Sequence, residues 1–319
     1  MKFASIGPLI EDLKFKQFPK EWIHGNLAIS PEIPIYHTSG HMVGMNISPE
    51  KMLQKPREQI QQDIIDAAAY IGQTFNIDII QLGGFTTSVT NGGKSFLHQD
   101  IYKGYVTHGD SYTAAVTYDA VEKVMDMKEL DPSDLTCAII GAYGIIGEAL
   151  TKLLIPRFQK TILIGRRLEK LDQLTSQLNA DDNFQTTTEL KTNTADIVVT
   201  ATNHPTALLT SNHLKQNACV IDVSQPPNLA LDVCRKRPDI FRVDGGYVNF
   251  PFKTHIPFME QGKIFACIAE GIMQALETHK NHRVGSIDLE YLRTTRKWAE
   301  KYQFTLKNLT NFGKELEIS

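Results

Sequence analysis

Residues 136–147 read TCAIIGAYGIIG. The first five, 136–140, have the composition of a short buried strand. A glycine-rich turn follows, with Gly141, Gly144 and Gly147 spaced G-x-x-G-x-x-G. An apolar helical pattern starts at Ile145 and continues through Ala149, Leu150, Leu153 and Leu154. Strand, glycine turn and helix form the opening of a dinucleotide-binding unit. Glycines let the backbone turn tightly and approach a pyrophosphate, and the first turn of the helix offers it free N–H groups. The same pattern also serves a tight turn without a ligand, so the flanking sequence has to decide.

Downstream, strand and helix patterns alternate, which predicts a doubly wound parallel sheet. Residues 161–164 read as the second strand, and Gly165, Arg166 and Arg167 follow it. An NAD site places Asp or Glu there for the ribose 2′-hydroxyl. Two arginines suit a 2′-phosphate, and so NADP. Residues 168–178 read as a helix, and 196–200, 219–223 and 241–244 as further strands. Ligands sit beyond the carboxyl ends of strands in such sheets. The candidate cofactor contacts are therefore Gly141, Ala142, Tyr143, Gly144, Ile145, Ile146 and Gly147 in the loop. Arg166 and Arg167 follow the second strand, and Ala201, Thr202, Asp222, Ser224, Gly245 and Gly246 mark later strand ends.

The first third of the chain reads as a second, smaller α/β domain. Residues 3–6 suit a strand that closes at Gly7-Pro8, and 31–48 carry short β-like pieces. His37 and His41 have an i, i+4 spacing, but Thr38-Ser39-Gly40 between them opposes the helix that a metal pair would need, so no metal site is expected. Residues 57–75 form an amphipathic helix pattern, with Ile60, Ile64, Ile65, Ala68 and Ile71 on one stripe. A strand over 77–82 then ends at Gly83-Gly84, ahead of Phe85 and the hydroxyl run Thr86, Thr87, Ser88. Backbone can meet a ligand at such a point, and an ordinary turn is the alternative. Residues 89–104 read as a surface loop, and 107–116 start a helix that Asp110 or Ser111 can cap. Gly83, Gly84, Phe85, Thr86, Asp110 and Ser111 are the candidate substrate contacts.

Composition sets the outer limits. A length of 319 residues suggests about two domains, and 42% hydrophobic with 22% charged residues suits a soluble globular protein. A net charge of -3 gives no general attraction to nucleic acid or to an anionic membrane. No apolar run is long enough for a transmembrane helix. The first fifteen residues lack the apolar core of a signal peptide, and the four cysteines lack metal spacing. A reduced, cytoplasmic setting is the expectation.

After Gly246 an aromatic and proline-rich loop, YVNFPFKTHIPFMEQG, leads to a helix pattern that starts near Lys263. Cys267 falls within its first turns. A helix N-terminus can lower a thiol pKa. Glu270, three positions on, can orient or deprotonate neighbours, or can disfavour the thiolate by like charge. A buried helix cysteine is also commonly inert packing. Cys137 and Cys219 fall in strands and Cys234 in a helix, all read as core. His108, His204 and His255 are acid–base candidates that no spacing singles out. Residues 286–301 form a last amphipathic helix before a short polar tail.

Taken together, FASIG at 3–7, IDIIQLGGFTT at 77–87, THGDSYTA at 107–114, GAYGIIG at 141–147 and ILIGRRLEKLDQL at 162–174 resemble segments of the cyanobacterial long-chain acyl-[acyl-carrier-protein] reductases. So do VIDVSQPPNL at 220–229, VDGGYVN at 243–249 and IFACIAEGI at 264–272, in the same order. Residues 222–228 depart from the family in reading DVSQPPN where relatives carry DGGYPKN. The resemblance implies an NADPH-dependent oxidoreductase that reduces a fatty acyl thioester to the aldehyde. It implies Cys267 as nucleophile, in the segment Phe265-Ala266-Cys267-Ile268-Ala269-Glu270, with Glu270 beside it. It also implies Arg166 as the cofactor arginine, acyl carrier protein or acyl-CoA as donor, and a downstream enzyme that uses the aldehyde. The domain plan it implies is a substrate domain over 1–115 and a Rossmann-like NADP domain over 116–248. Residues 249–319 would carry the cysteine and pack back on the first domain.

Two other readings remain. A shikimate-dehydrogenase-like reductase of a small carbonyl or imine would use the same plan without a cysteine, and fold alone does not decide between them. A non-enzymatic NADP-binding module would leave Cys267 and the aromatic loop as packing.

Overall fold

The computed structural model describes residues 1–9, 15–179 and 183–316. The chain divides into two compact units, one of 1–112 with 248–305, the other of 113–247 with 306–319. The last three residues of the polar tail lie outside the described residues.

The second unit is built on the strand Thr136–Ile140. Its sheet has the spatial order Phe184–Thr187, Lys160–Ile164, Thr136–Ile140, Ile197–Thr200, Cys219–Asp222, Phe241–Asp244. Every pairing is parallel. Numbered along the chain, this is the order 3-2-1-4-5-6 of a Rossmann sheet. Parallel strands are covered on both faces, so alternate residues must all be apolar. Cys137 and Ile139 enter one buried cluster, and Ala138 and Ile140 the other. Cys219 and Ile221 likewise lie on the first face and Val220 on the second. Half-buried Cys234, in the helix Leu231–Lys236, packs against the second cluster. The helix Ile145–Leu154 follows the glycine turn directly, and Leu150 and Leu154 close the first face.

The first unit has its own sheet, in the order Ile23–His24, Leu27–Ile29, Thr38–Met45, Lys2–Pro8, Ile79–Leu82, Tyr105–Thr107, with Ile33–Ile35 paired to Thr38–Met45. The helix Arg57–Phe75 has the predicted bounds and sets Ile60, Ile64, Ile65, Ala68 and Ile71 into the core with Ile6, Ile80 and Leu82. Each isoleucine and leucine side chain among them contributes roughly 1.5–3 kcal/mol on full burial. Asn76, in the left-handed region at φ 54°, ends the helix.

Several expectations change. The hydroxyl run belongs to a short helix, Phe85–Val89. The helix expected from Lys263 starts at Ala266, because Lys263–Phe265 is extended and pairs with Tyr247–Asn249. The stretch 89–104 contains a 3-10 turn, Lys94–His98, and the edge strand Tyr105–Thr107 follows it. Phe184–Thr187 is a strand that the sequence reading lacks, since its polar residues carry no apolar alternation. With 248–305 included, the first unit is the larger of the two.

The end of the chain also departs from expectation. Residues 306–316 join the second unit, where Thr310–Asn311 and Lys314–Glu315 form a small hairpin. Asp244 holds it: its carboxylate accepts hydrogen bonds from Thr310 Oγ1 at 2.8 Å, Phe312 N at 3.2 Å and Gly313 N at 2.8 Å. Arg242 is buried between Asp222 and Asp244, at 3.2 Å and 2.7 Å, and also donates to Asn311 Oδ1. Its guanidinium lies 4.0 Å from the Phe312 ring centroid. Among the described residues, no helix is long and apolar enough to cross a membrane.

Removing one partner from a buried charge cluster leaves uncompensated charge, at about 3–5 kcal/mol. Arg242→Met strands two buried carboxylates, so its unfolding free energy in chemical denaturation should fall by about that amount. A loss under about 1 kcal/mol contradicts this account of the cluster.

Candidate active site

In the second unit, the glycine turn occupies the point where the strand order reverses. Gly141 has φ 86°, and a Cβ there would lie 2.9 Å from the Ala201 carbonyl carbon. At Gly147 a Cβ would lie 2.8 Å from the Gly141 carbonyl carbon. These positions let the ends of the first and fourth strands and the start of the helix close together. Gly141 N and Ala142 N donate to Ile164 O at 2.9 and 3.1 Å. The helix N-cap is Gly144, which supplies no side-chain cap. The first-turn N–H groups of Ile145, Ile146 and Gly147 therefore have no intrahelical acceptor and suit an anion. Arg166 and Arg167 are exposed beyond the second strand, and the Arg167 guanidinium lies 5.8 Å from the Tyr143 ring centroid. This arrangement fits a nicotinamide dinucleotide.

The other cofactor candidates have different roles. Asp222 has both oxygens engaged: Oδ1 accepts from Thr200 Oγ1 at 2.5 Å and Ser224 N at 3.3 Å, and Oδ2 from Leu229 N and Arg242. It holds the strand end together. Ser224 Oγ accepts from Thr202 N at 3.0 Å, which links the ends of the fourth and fifth strands. Gly245 is buried, its carbonyl accepting from Thr117 Oγ1 at 2.7 Å, and Gly246 is half-buried.

In the first unit, Cys267 is the second residue of the helix Ala266–Leu276. That helix packs on the strands Lys2–Pro8 and Ile79–Leu82. Gly109, with φ 73°, lies directly against it, since a Cβ there would fall 2.6 Å from Cys267 Cα. Any side chain at 109 would displace the cysteine. Glu270 is fully buried one turn on. Its Oε1 accepts from Thr107 Oγ1 at 2.8 Å and its Oε2 from Tyr112 N at 2.7 Å.

Burial and like charge, rather than the helix terminus, dominate the electrostatics of the cysteine. The Cys267 thiol pKa is pushed up to about 12, by burial first and then by the charges of Asp110 and Glu270. The backbone hydrogen bonds at Ile268 and Cys267, at the helix start, oppose this. Burial also pushes Glu270 up to about 7, against the Tyr112 and Thr107 hydrogen bonds and the Arg283 charge. Asp110 is raised well above the usual carboxylate range, by burial and by Glu270. The cluster therefore holds a protonated thiol beside two carboxyl groups whose proton affinity is raised.

The histidines separate clearly. His108 is buried, and its Nδ1 accepts from Asp110 N at 2.9 Å. Burial lowers its pKa to about 4, opposed by a backbone hydrogen bond at Gly285, so it is a neutral support for the Asp110 loop. His204 Nδ1 bonds Thr206 O at 2.8 Å, and His255 is exposed. Among the substrate candidates, Gly84 is exposed at φ 56°. Phe85, Thr86 and Ser111 are buried, and Thr86 Oγ1 donates to Gly83 O at 2.9 Å. Among the described residues, no group of three or more His, Cys, Asp or Glu is arranged to hold a metal.

Sequence reasoning missed Thr107, Gly109 and Arg283. Thr107 and Arg283 meet as an isolated parallel bridge, and Arg283 lies 3.7 Å from the Tyr291 ring centroid. A three-residue strand followed by H-G-D was the available signal, overshadowed by the helix start beside it.

Comparison with known proteins bears on the second unit most directly. A family model described as shikimate / quinate 5-dehydrogenase matches residues 122–244. The aminotransferase PigE of Serratia sp. is 25% identical over 255 residues, which is 75% of this chain and 29% of PigE. The chain thus spans under a third of that relative's length. The long-chain acyl-[acyl-carrier-protein] reductase of Synechococcus elongatus is 26% identical over 276 residues, 80% of each chain. Among solved structures, glutamyl-tRNA reductase from Methanopyrus kandleri is 18% identical, with a TM-score of 0.34 over 50% of this chain and 40% of that one. The family match and the reductase relative support an oxidoreductase that uses a nicotinamide cofactor.

Two measurements follow. Cys267 should react with iodoacetamide at about pH 8 at least ~100-fold more slowly than a free cysteine, since its thiolate fraction is small. Cys267 keeps some accessible surface, so peptide mass spectrometry that found ordinary reactivity would contradict the raised pKa. For Glu270, the native pKa lies above the ordinary 4.5, so its contribution to stability is full below about 4.5 and lost as pH rises through about 7. Asp110 acts in the same direction. The unfolding free energy should fall across that window, by at most about 1.4 kcal/mol per pH unit for each group, and Glu270→Gln should remove its share. An unchanged slope in denaturation series of the variant would refute the shift.

Proposed function

We propose that this chain reduces a fatty acyl thioester to the aldehyde with NADPH, through an acyl-enzyme on Cys267. Acyl carrier protein or coenzyme A is the donor. The observation that carries the reading is a single thiol held beside two carboxyl groups of raised pKa, with glycine backbone packed against it. Reduction of a simple ketone or imine needs no such cysteine. The shikimate-type family match covers 122–244, which includes none of the Cys267 cluster, and so bears on the cofactor and not on the substrate.

The chemistry follows from the residues. Cys267 Sγ gives up its proton as it attacks the thioester carbonyl, and ionised Asp110, whose proton affinity burial and Glu270 raise, takes that proton. The carrier thiol leaves as the new C–S bond forms, and Asp110 returns the proton to it. The glycine loop, Arg166 and Arg167 hold the cofactor. Bound there, NADPH supplies the hydride that brings the acyl carbon to the aldehyde level. The C–S bond then breaks, Cys267 takes up from solvent the one proton that the overall reduction consumes, and the aldehyde leaves for an enzyme that consumes it. Glu270 stays fixed by Thr107 and Tyr112 and sets the local field.

Purified protein mixed with acyl-CoA and acyl carrier protein thioesters, without NADPH, should gain the mass of the acyl group. Cys267→Ala should gain none, and NADPH should discharge the wild-type adduct as aldehyde. Asp110→Asn should slow adduct formation by roughly 10²–10⁴-fold, the usual worth of a general base. Absence of an adduct from every donor, with NADPH still bound, would overturn this reading in favour of direct carbonyl reduction or cofactor binding alone.

A further inference from the structure

In the first unit, the chain that follows the cysteine helix returns to brace the acid cluster. Residues 279–285 run beside the edge strand Tyr105–Thr107. Arg283 N donates to Val106 O at 2.8 Å, and Arg283 O accepts from His108 N at 3.1 Å. These two bonds bracket Thr107, whose Oγ1 donates to Glu270 and accepts from Gly109 N at 3.1 Å. The helix Ala266–Leu276 grips the same segment, since Gln274 Nε2 donates to His279 O at 3.2 Å and to Asn281 O at 2.7 Å. Segment and helix therefore fix each other around Glu270.

The Arg283 side chain is only 24% exposed. Its Nε and Nη2 meet His279 Nε2 at 3.2 and 2.9 Å. A ring nitrogen that accepts from a guanidinium carries no proton, so His279 is neutral, and burial and the Arg283 charge lower its pKa. The guanidinium lies over the Tyr291 ring, and the His279 ring stacks on the same tyrosine at 5.5 Å. Both neighbours are uncharged. Asp288 Oδ2 stands 3.9 Å from Nη1 and is 58% exposed, so water screens that pair. A part-buried cation needs opposite charge within reach, and the Arg283 charge acts on Glu270 against the effect of burial. The ionisable groups that act on Glu270 or respond to it are Arg283, Tyr291, Asp110 and Cys267. His108 is neutral, and Lys263, on the strand before the helix, pairs with Glu260. Ser5 and Gln81, buried in the two strands under the helix, carry no charge.

We infer that Arg283 is a positioning residue of the cysteine site: its main chain holds the 107–110 turn, and its guanidinium fixes the charge of Glu270. Glu270 in turn acts on Asp110 and on Cys267, the two groups that exchange a proton in acyl transfer. Arg283 thereby sets the pH range in which that step runs, without touching the reacting atoms. The inference rests on the reading of Cys267 as the nucleophile, but the coupling of Arg283 to Glu270 is measurable without any substrate.

The test follows the full chain through a pH series, by chemical denaturation and by the rate of acyl-enzyme formation from an acyl-CoA. Losing a cation raises the pKa of a carboxyl group. In Arg283→Met, the fall in unfolding free energy that Glu270 causes should therefore extend to higher pH by about one unit. The inflection in the acylation rate should move by the same amount. Arg283→Lys, which keeps the charge, should restore both curves to wild type, and Arg283→Met placed in Glu270→Gln should shift neither. If Arg283→Met does not fold, Arg283→Gln, which keeps a donor for His279, takes its place. Wild-type curves in the charge-removing variant would overturn the inference. An equal shift in Arg283→Lys would overturn it by showing disturbed packing, and a shift that persists in Glu270→Gln would do so by showing another target. If wild type formed no acyl-enzyme, the nucleophile reading would fail, and the denaturation series would still decide whether Arg283 controls Glu270.

Discussion

The pairing of Arg242 with Asp222 and Asp244 is the constraint on which the second unit depends. Three charged side chains inside a parallel sheet are tolerable only because each has partners on every side. Asp222 gathers Thr200, Ser224, Leu229 and Arg242, and Asp244 gathers Thr310, Phe312, Gly313 and Arg242. The cost of burial is offset by complete hydrogen bonding rather than by Coulomb attraction alone. Two consequences follow from one cluster. The last described segment is fixed to the sheet that precedes it by some sixty residues, and the ends of the fourth and fifth strands are held in one geometry.

The cysteine in the first unit obeys the opposite logic. There burial dominates, and the Arg283 charge offsets only part of the shift at Glu270. Glu270 keeps two hydrogen-bond donors and still rises to about 7. The thiol responds to the same field, and burial outweighs the backbone hydrogen bond from the start of its helix. A resting thiol with adjacent proton acceptors suits a nucleophile that ionises only when a substrate is in place. It also spares the cysteine from alkylation and oxidation, which act on the thiolate.

Much of this was legible in the sequence where local physics decides. Strand Thr136–Ile140, helix Arg57–Phe75 and strand Phe241–Asp244 have the predicted bounds, because continuous apolar runs or a 3.6-residue stripe leave little choice. Phe184–Thr187 and the 310–315 hairpin did not show, since edge strands and polar hairpins take their shape from partners distant in sequence. The glycine turn was readable because its job is steric. The hydroxyls of Thr86 and Thr87 were misleading because a Thr that bonds a backbone carbonyl looks, in one dimension, like a Thr awaiting a ligand.

That contrast separates support from function at this site. Asp222 carries the side chain that sequence reasoning would choose as a cofactor contact, yet both of its oxygens are occupied within the protein. A protein interior satisfies its polar groups wherever it can. A saturated carboxylate is therefore an anchor. Position at a strand end makes a residue a candidate; the count of its remaining hydrogen-bond capacity decides which candidate can still bind something.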